Sequence, residues 1–519
     1  MAVVAAMALL LPACLFSSPA HQGLGGPNQL RIGIRELSTL DPDLRANPSD
    51  LLVADQIFQP MIGFNPKTDQ LEPRLASSWQ TLDGGSQFVF HLRPSAKFQN
   101  GQPVTASDVA FALNRLAQKS TDSSLAYLLS PVAGFDAVNV TGTATTLSGV
   151  SVLDDHTLQI SLTSPWVDFP YVLTDPATAP IPATAFQANP TTFMQHPIGA
   201  GPYELATPSG MPDELVLKRF SGYWGAKPAI PSVRFVFNPD PDSVLGDITK
   251  GKLDVGEVPS GSMSSALKKL GSRGFTQLAA GLYLGFNLND PNVGSLPLRQ
   301  AISLAINRQA IASQVYGNVV VPADSIVPGG LPGHSELACG GDCDYNPSQA
   351  KSLVQQAFPN GAPTITLDYP SGDPNNAIAS AIAGDLKAVG ITLQLNAQSA
   401  SDYLTSLIND SQEMFLQVWV ADYPLADWFL TPLFGAGSAD NLSGYKDGSV
   451  QATLSQARAT TNAAQRLSMY ASVERSVLSD MAVSPIAFFR NHYAAATRVQ
   501  GFYVDALGGF EIDRLSLGS

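Results

Sequence analysis

The sequence predicts an α/β protein of at least two lobes, and three observations carry that prediction. Its 519 residues exceed the length at which a single hydrophobic core stops growing. A strand–helix–strand unit is legible near the middle of the second half. Ile365-Thr366-Leu367-Asp368-Tyr369 and Ile391-Thr392-Leu393-Gln394-Leu395 flank a helical stretch, 377–389, that Gly390 closes. Every apolar run falls short of the roughly eighteen residues of a membrane span. That holds although charged residues are only 14 % and mean hydropathy is +0.07.

Charge and motif content exclude several functions. The net charge is −14, from 29 Lys+Arg against 43 Asp+Glu, and no basic run interrupts it. Such a surface repels nucleic-acid backbones and anionic membranes. The six histidines, at 21, 91, 156, 196, 334 and 492, form no HExxH-like pair, so they offer no metal-hydrolase ligands. Gly246 to Lys252 has the spacing of a phosphate loop, but Leu253 stands where Mg²⁺ coordination needs Ser or Thr. A Gly-x-Ser-x-Gly elbow is missing as well. The reading is a protein that is not an enzyme and that needs neither cofactor nor metal.

Taken in order, the chain begins with an apolar stretch, Met1 to Leu11, followed by Pro12-Ala13-Cys14. This is read as a signal peptide, residues 1–13, ending in a lipobox that makes Cys14 the lipidated first residue of the mature chain. Two features depart from that pattern: the basic leader is missing and Pro12 sits inside the box. The alternative is an ordinary cleaved signal in which Cys14 is lost. Residues 14–27 then form a tether. The two remaining cysteines, Cys339 and Cys343, bracket Gly340-Gly341-Asp342, which lets the chain turn back into a small disulfide loop in an oxidising compartment. Two thiolates without a neighbouring His cannot complete a zinc shell.

Leu30 to Ile34 alternates like a strand, and a helix is expected over 49–58 with Ser49 as N-cap. Asp83-Gly84-Gly85 separates two strand-like runs, a hairpin signal. Asn100-Gly101 is a turn, and Thr105 starts a helix carrying Val109, Phe111, Ala112 and Leu116. Later, Met414 to Val418 reads as a short buried strand running into Trp419-Val420-Ala421-Asp422-Tyr423-Pro424. Pro424 cannot continue a central strand, so Trp419, Asp422 and Tyr423 emerge at its carboxyl end, where ligands bind in open α/β sheets. An acid beside aromatic rings suits a ligand with a cationic end and an apolar body. The competing interpretation is a packed strand end whose Asp caps a turn.

Several of these segments together resemble one family. Leu75-Ala76-Ser77-Ser78-Trp79, the hairpin, Lys97-Phe98-Gln99-Asn100-Gly101 and Thr105-Ala106-Ser107-Asp108-Val109 follow its order. So do Gly199-Ala200-Gly201-Pro202-Tyr203, Gly251-Lys252-Leu253-Asp254, Asn287, and Ala305-Ile306-Asn307-Arg308. The chain is similar to the bacterial extracellular solute-binding proteins of family 5, which include dipeptide, oligopeptide and nickel binders. The resemblance spans 28–517. It implies a two-lobed periplasmic-binding-protein-like fold whose lobes close over a ligand. Lobe I would be 28–280 with 490–519, carrying an extra subdomain at 66–192, and lobe II would be 281–489.

The resemblance also implies a role: an exported lipoprotein, anchored at the outer face of the cytoplasmic membrane, that hands peptides or peptide-like solutes to an ABC permease. It would act as a monomer. Asp422 would take the ligand's α-ammonium, with Trp419 and Tyr423 lining the pocket and Glu36 a second acid near the ligand. One departure stands out. Oligopeptide binders place an arginine six residues before the anchoring acid, and this chain has Leu416 there. A metal chelate, haem, an opine or an oligosaccharide therefore stays open as the ligand. So does a sensor or chaperone-like surface role.

Overall fold

The computed structural model describes residues 28–65, 67–68, 70–206, 213–409 and 411–518. The expected signal peptide, the Cys14 lipidation site and the whole tether lie outside them. Three sheets organise the rest. The first has the strand order Tyr493–Ala495, Val255–Glu257, Gln29–Ile34, Ser232–Phe237, Glu214–Arg219, Tyr203–Leu205. The second runs Val320–Pro322, Val483–Arg490, Gln277–Phe286, Met414–Val420, Thr364–Pro370, Thr392–Gln398. The third, antiparallel, is Ala76–Leu82, Gln87–Leu92, Thr157–Ser161, Val150–Asp154.

Both large sheets are mixed, and two strands link them. Gln277–Phe286 carries the chain into the second sheet, and Val483–Arg490 carries it back towards Tyr493–Ala495 in the first. They meet where Gln277 pairs with Arg490. Each sheet has its own apolar core, with Tyr283, Phe286 and Phe429 in the second and Leu30, Tyr203 and Phe235 in the first. The third sheet's core is different in one respect. Phe88, Phe90 and Trp166 share it with Tyr423 and Leu425 from the far side of the chain. So the third sheet's core is packed directly onto the segment after Met414–Val420.

Local chemistry explains most element ends. Helix Ala106–Ala117 starts at Thr105 with a capping box: the Thr105 side chain accepts from the Asp108 N–H, and Asp108 accepts from the Thr105 N–H. Asp83-Gly84-Gly85 turns the hairpin with positive φ at all three residues. The first helix corrects an expectation. It spans Pro48–Ile57, and Asn47, not Ser49, is its N-cap, accepting from the Ser49 and Asp50 N–H groups. Pro48 then fits at the first helical position, where no N–H is needed. Gly199 and Gly201 show why that motif needs glycine. A Cβ there would sit 2.0 Å from the Ile57 oxygen and 2.5 Å from the Gln56 oxygen.

Arg299 and Arg308 are structural. Arg299 donates to the carbonyls of Met481, Val293, Gly294 and Asp480. Arg308 donates to those of Pro485, Ser303 and Cys343 and to two serine hydroxyls. Burial pulls the Arg308 pKa down to about 10, and both side chains are spent on backbone. Cys339 and Cys343 form a disulfide with their Cα atoms 5.7 Å apart.

Candidate functional site

The site is organised by one strand with an open edge. Met414–Val420 pairs along its full length with Gln277–Phe286. On its other side Thr364–Pro370 meets it only at Met414 and Phe415. Among the described residues no strand covers that second edge from Leu416 to Val420. Val418 and Val420 are correspondingly 51 % and 53 % exposed. Leu416 itself is core, 4 % exposed. The Tyr403 hydroxyl donates to its carbonyl and the Trp428 indole N–H to that of Val420, 2.9 Å away.

Asp422 follows this strand at the meeting point of two cavities. One, about 480 Å³, is walled by charged groups: Arg45 and Asp55 from the first helix and the loop before it, then Arg74, Asp175, Asp505, Glu511 and Asp513. The other, about 880 Å³, carries five aromatic side chains, Tyr127, Trp166, Trp419, Tyr423 and Trp428, beside Asp427, Asp440 and Arg458. Val420 and Asp422 belong to both linings. The Tyr127 hydroxyl, from the short helix Ala126–Leu129, donates to the Asp422 carboxylate between them. Burial raises the Asp422 pKa, while the Tyr127 hydrogen bond opposes the rise.

Trp419 and Trp428 stack with ring centroids 5.8 Å apart, and the Trp419 indole N–H donates to the Trp428 carbonyl at 2.9 Å. Tyr423 is 3 % exposed and packs edge-on against Trp428 at 4.9 Å, its hydroxyl donating to Asp427 at 3.0 Å. It is therefore mostly packing, with little of its ring open to the cavity. Glu36 is not brought to the site. It is exposed, lies in neither lining, and accepts a 3.3 Å hydrogen bond from the Asn238 side chain. The chain leaves its strand at Ile34 and turns Glu36 towards solvent before reaching the helix that faces the cleft.

The residues that sequence reasoning missed come from distant segments. Arg45 pairs with Asp175. Arg74 pairs with Glu511 and lies 3.6 Å from Asp513. Asp505 accepts from the Leu507 and Gly509 N–H groups with one oxygen. Burial pushes Asp505 up to about 6 and Glu511 up to about 7. Trp428 lies four residues beyond Pro424 and could have been named with that stretch. The tail acids carried no local signal at all.

Among the described residues no group of three His, Cys, Asp or Glu could hold a metal ion, and no helix is long and apolar enough to cross a membrane. What the site offers is a carboxylate at the end of an open strand edge, charge on one side and aromatic surface on the other.

Comparisons with known proteins agree on the family. Residues 70–441 match the family described as "Bacterial extracellular solute-binding proteins, family 5 Middle". The dipeptide-binding protein of Escherichia coli (strain K12) is 25 % identical over 488 residues, covering 89 % of each chain. The glutathione-binding protein GsiB of Shigella dysenteriae serotype 1 is 25 % identical over 498 residues, covering 92 % of each. The periplasmic murein tripeptide binding protein MppA, in its unliganded open form, shares the fold with a TM-score of 0.84. That likeness covers 94 % of this chain and 97 % of that one at 23 % identity.

Proposed function

The chain belongs to the bacterial extracellular solute-binding proteins of family 5, and from that premise we propose that it is the substrate-binding lipoprotein of an ABC importer. It captures peptides or peptide-like solutes at Asp422 and delivers them to a membrane permease. One observation carries the ligand class: the Leu416–Val420 edge, which no described strand covers, runs directly to the Asp422 carboxylate. An extended peptide can add to such an edge through main-chain hydrogen bonds. Its α-ammonium then reaches Asp422 and replaces the Tyr127 hydroxyl as the stronger, charge-assisted partner.

Closure of the lobes, 28–280 with 490–519 against 281–489, would exclude water and strengthen that pair. Ligand in the cleft favours the closed state, and the closed state docks on the permease. Energy for transport comes from a separate ATPase, so this chain needs no catalytic group. Lipid attachment at Cys14 belongs to the same proposal and rests on the Leu11 to Cys14 sequence. A second reading keeps the fold and changes the ligand to a metal chelate, haem, an opine or an oligosaccharide. Its support is Leu416, a core residue where oligopeptide binders carry an arginine. A solved relative, AgaA, is in complex with agropinic acid.

A thermal-shift screen of ligand-stripped protein separates these readings. The panel is free-amine tripeptides, their N-acetylated forms, nickel chelates, haem, opines and short sugars. Ligand at a hundred times its Kd adds about 2.7 kcal/mol to the native state, enough to move the melting temperature visibly. A shift with free-amine peptides that acetylation abolishes is the expected result. Asp422→Asn should then cost about 2–5 kcal/mol for the free-amine peptide and much less for the acetylated one. A shift with a non-peptide alone would discard the peptide reading.

A further inference from the structure

We infer that the cleft selects a ligand carrying a second positive charge close to the one at Asp422, for which a peptide with lysine or arginine as its first residue is the simplest form. The inference rests on the peptide reading of this cleft and adds what that reading leaves open, the side chain.

The charged chamber has six carboxylates, Asp55, Asp175, Asp422, Asp505, Glu511 and Asp513, against two guanidinium groups. Both cations are already engaged. Arg45 is paired with Asp175, whose other oxygen accepts from the Ala177 N–H. Arg74 serves Glu511, Asp513 and Glu72. What remains is a surplus at Asp55, Asp422 and Asp505. Asp55 is the clearest case. It lines the cavity half-buried, makes no hydrogen bond and no ion pair with any described residue, and shares the already engaged Arg45 as the cation acting on it. One Asp505 oxygen has no hydrogen-bond donor among the described residues.

A partly buried carboxylate without a donor is costly, and its ordinary remedies are a proton or a countercharge. Burial raises the Asp55 pKa, Arg45 opposes the rise, and the neighbouring Asp175, Asp505 and Glu511 add to it. A ligand cation supplies the countercharge instead. Geometry gives it a route. The ligand main chain lies along Val418–Val420 beside the aromatic chamber, its ammonium sits at Asp422, and its first side chain turns into the charged chamber. A ligand carboxylate in that chamber would face unpaired acids. The carboxyl end must therefore run the other way, which fits a cleft without an arginine at position 416.

The test is calorimetric titration of the ligand-stripped full chain with lysyl-, alanyl- and glutamyl-dialanine and with 1,4-diaminobutane. Lysyl-dialanine should bind about tenfold or more tighter than alanyl-dialanine, the value of one charge-assisted hydrogen bond. Glutamyl-dialanine should bind weakest. Asp55→Asn and Asp505→Asn, each near-isosteric, should pull the lysyl-to-alanyl ratio towards one. Equal affinity for the three peptides would overturn the inference and leave the peptide reading intact. Tight diamine binding with no peptide binding would support the second charge and sink the peptide reading. No binding by any of the four would sink both.

Discussion

The two chambers that meet at Asp422 are built from opposite chemistry, and the contrast shows how one carboxylate can serve two kinds of recognition. On one side, helix Pro48–Ile57 and the tail around Asp505 and Glu511 present charge. On the other, Trp419, Trp428, Tyr127 and Trp166 present rings. The charged side can discriminate by sign, because few of its groups can be satisfied without a partner. The aromatic side contributes surface, which binds many shapes and rejects few. A binder of varied peptides needs both properties, and here they are separated in space.

Breaking the buried wall that joins the third sheet's core to helix Ala463–Ser479 should give the largest effect. Asp168, 1 % exposed, meets Arg466 there at 2.8 Å and the Tyr470 hydroxyl at 3.3 Å. Burial outweighs Arg466 and pushes the Asp168 pKa up to about 6, so the pair is only partly repaid for its desolvation. Asp168→Ala leaves Arg466 buried without its partner and should cost about 3–5 kcal/mol in urea unfolding. Asp168→Leu combined with Arg466→Met should recover much of that loss. If Asp168→Ala were neutral, the wall would not depend on this pair.

An intermediate effect separates the chambers by pH. Asp505 and Glu511, held at about 6 and about 7, are acids whose folded values are raised, so the folded protein binds more protons than the unfolded chain above about pH 4. Stability then falls as pH rises through the folded values. Asp43, up to about 8, and Glu474, up to about 7, act in the same direction. So does His492, whose raised pKa makes a contribution that is lost as pH rises. Asp254 and Glu257 oppose this only at acid pH, because their lowered values give stability that is lost as pH falls below about 4. The melting temperature of the empty protein should accordingly rise from about pH 8 to about pH 5.5. Asp505→Asn with Glu511→Gln should flatten that slope, and an unchanged slope would place its origin outside the charged chamber.

The smallest effect sharpens the comparison. Trp428→Ala removes a ring that touches Trp419, Tyr423 and Tyr127. An aromatic pair contributes about 0.5–1.5 kcal/mol, so peptides with an aromatic residue should bind roughly two- to twelvefold more weakly in titration. The preference between lysyl and alanyl peptides should move far less. A collapse of that preference would mean that the two chambers act as one.

Much of the fold was legible because its signals are local. The Asp83-Gly84-Gly85 turn, the Thr105 cap and the run into Asp422 each follow from a few neighbouring residues. The first helix was displaced only in its cap, since Asn47 and Ser49 are chemically similar candidates and Pro48 decides between them. Glu36 failed for a different reason. The resemblance implied an acid near the ligand, but the structure leaves it exposed beside Asn238, two hundred residues later, and outside both linings. Tyr423 was placed correctly in the chain, yet its ring packs into the third sheet's core.

By itself, then, the sequence determined an α/β chain of more than one core, its family, and one acid at the end of a strand that the structure shows buried only in its first half. Those properties reside in periodicity, turn chemistry and short motifs, which act over a few residues. Only the tertiary structure decided that Asp422 stands between a charged and an aromatic chamber. It alone brought Asp55, Asp175 and Asp505 together, three acids from segments hundreds of residues apart. No pattern in a chain encodes such a surplus of charge, because it comes from which cations the fold has already spent on other partners.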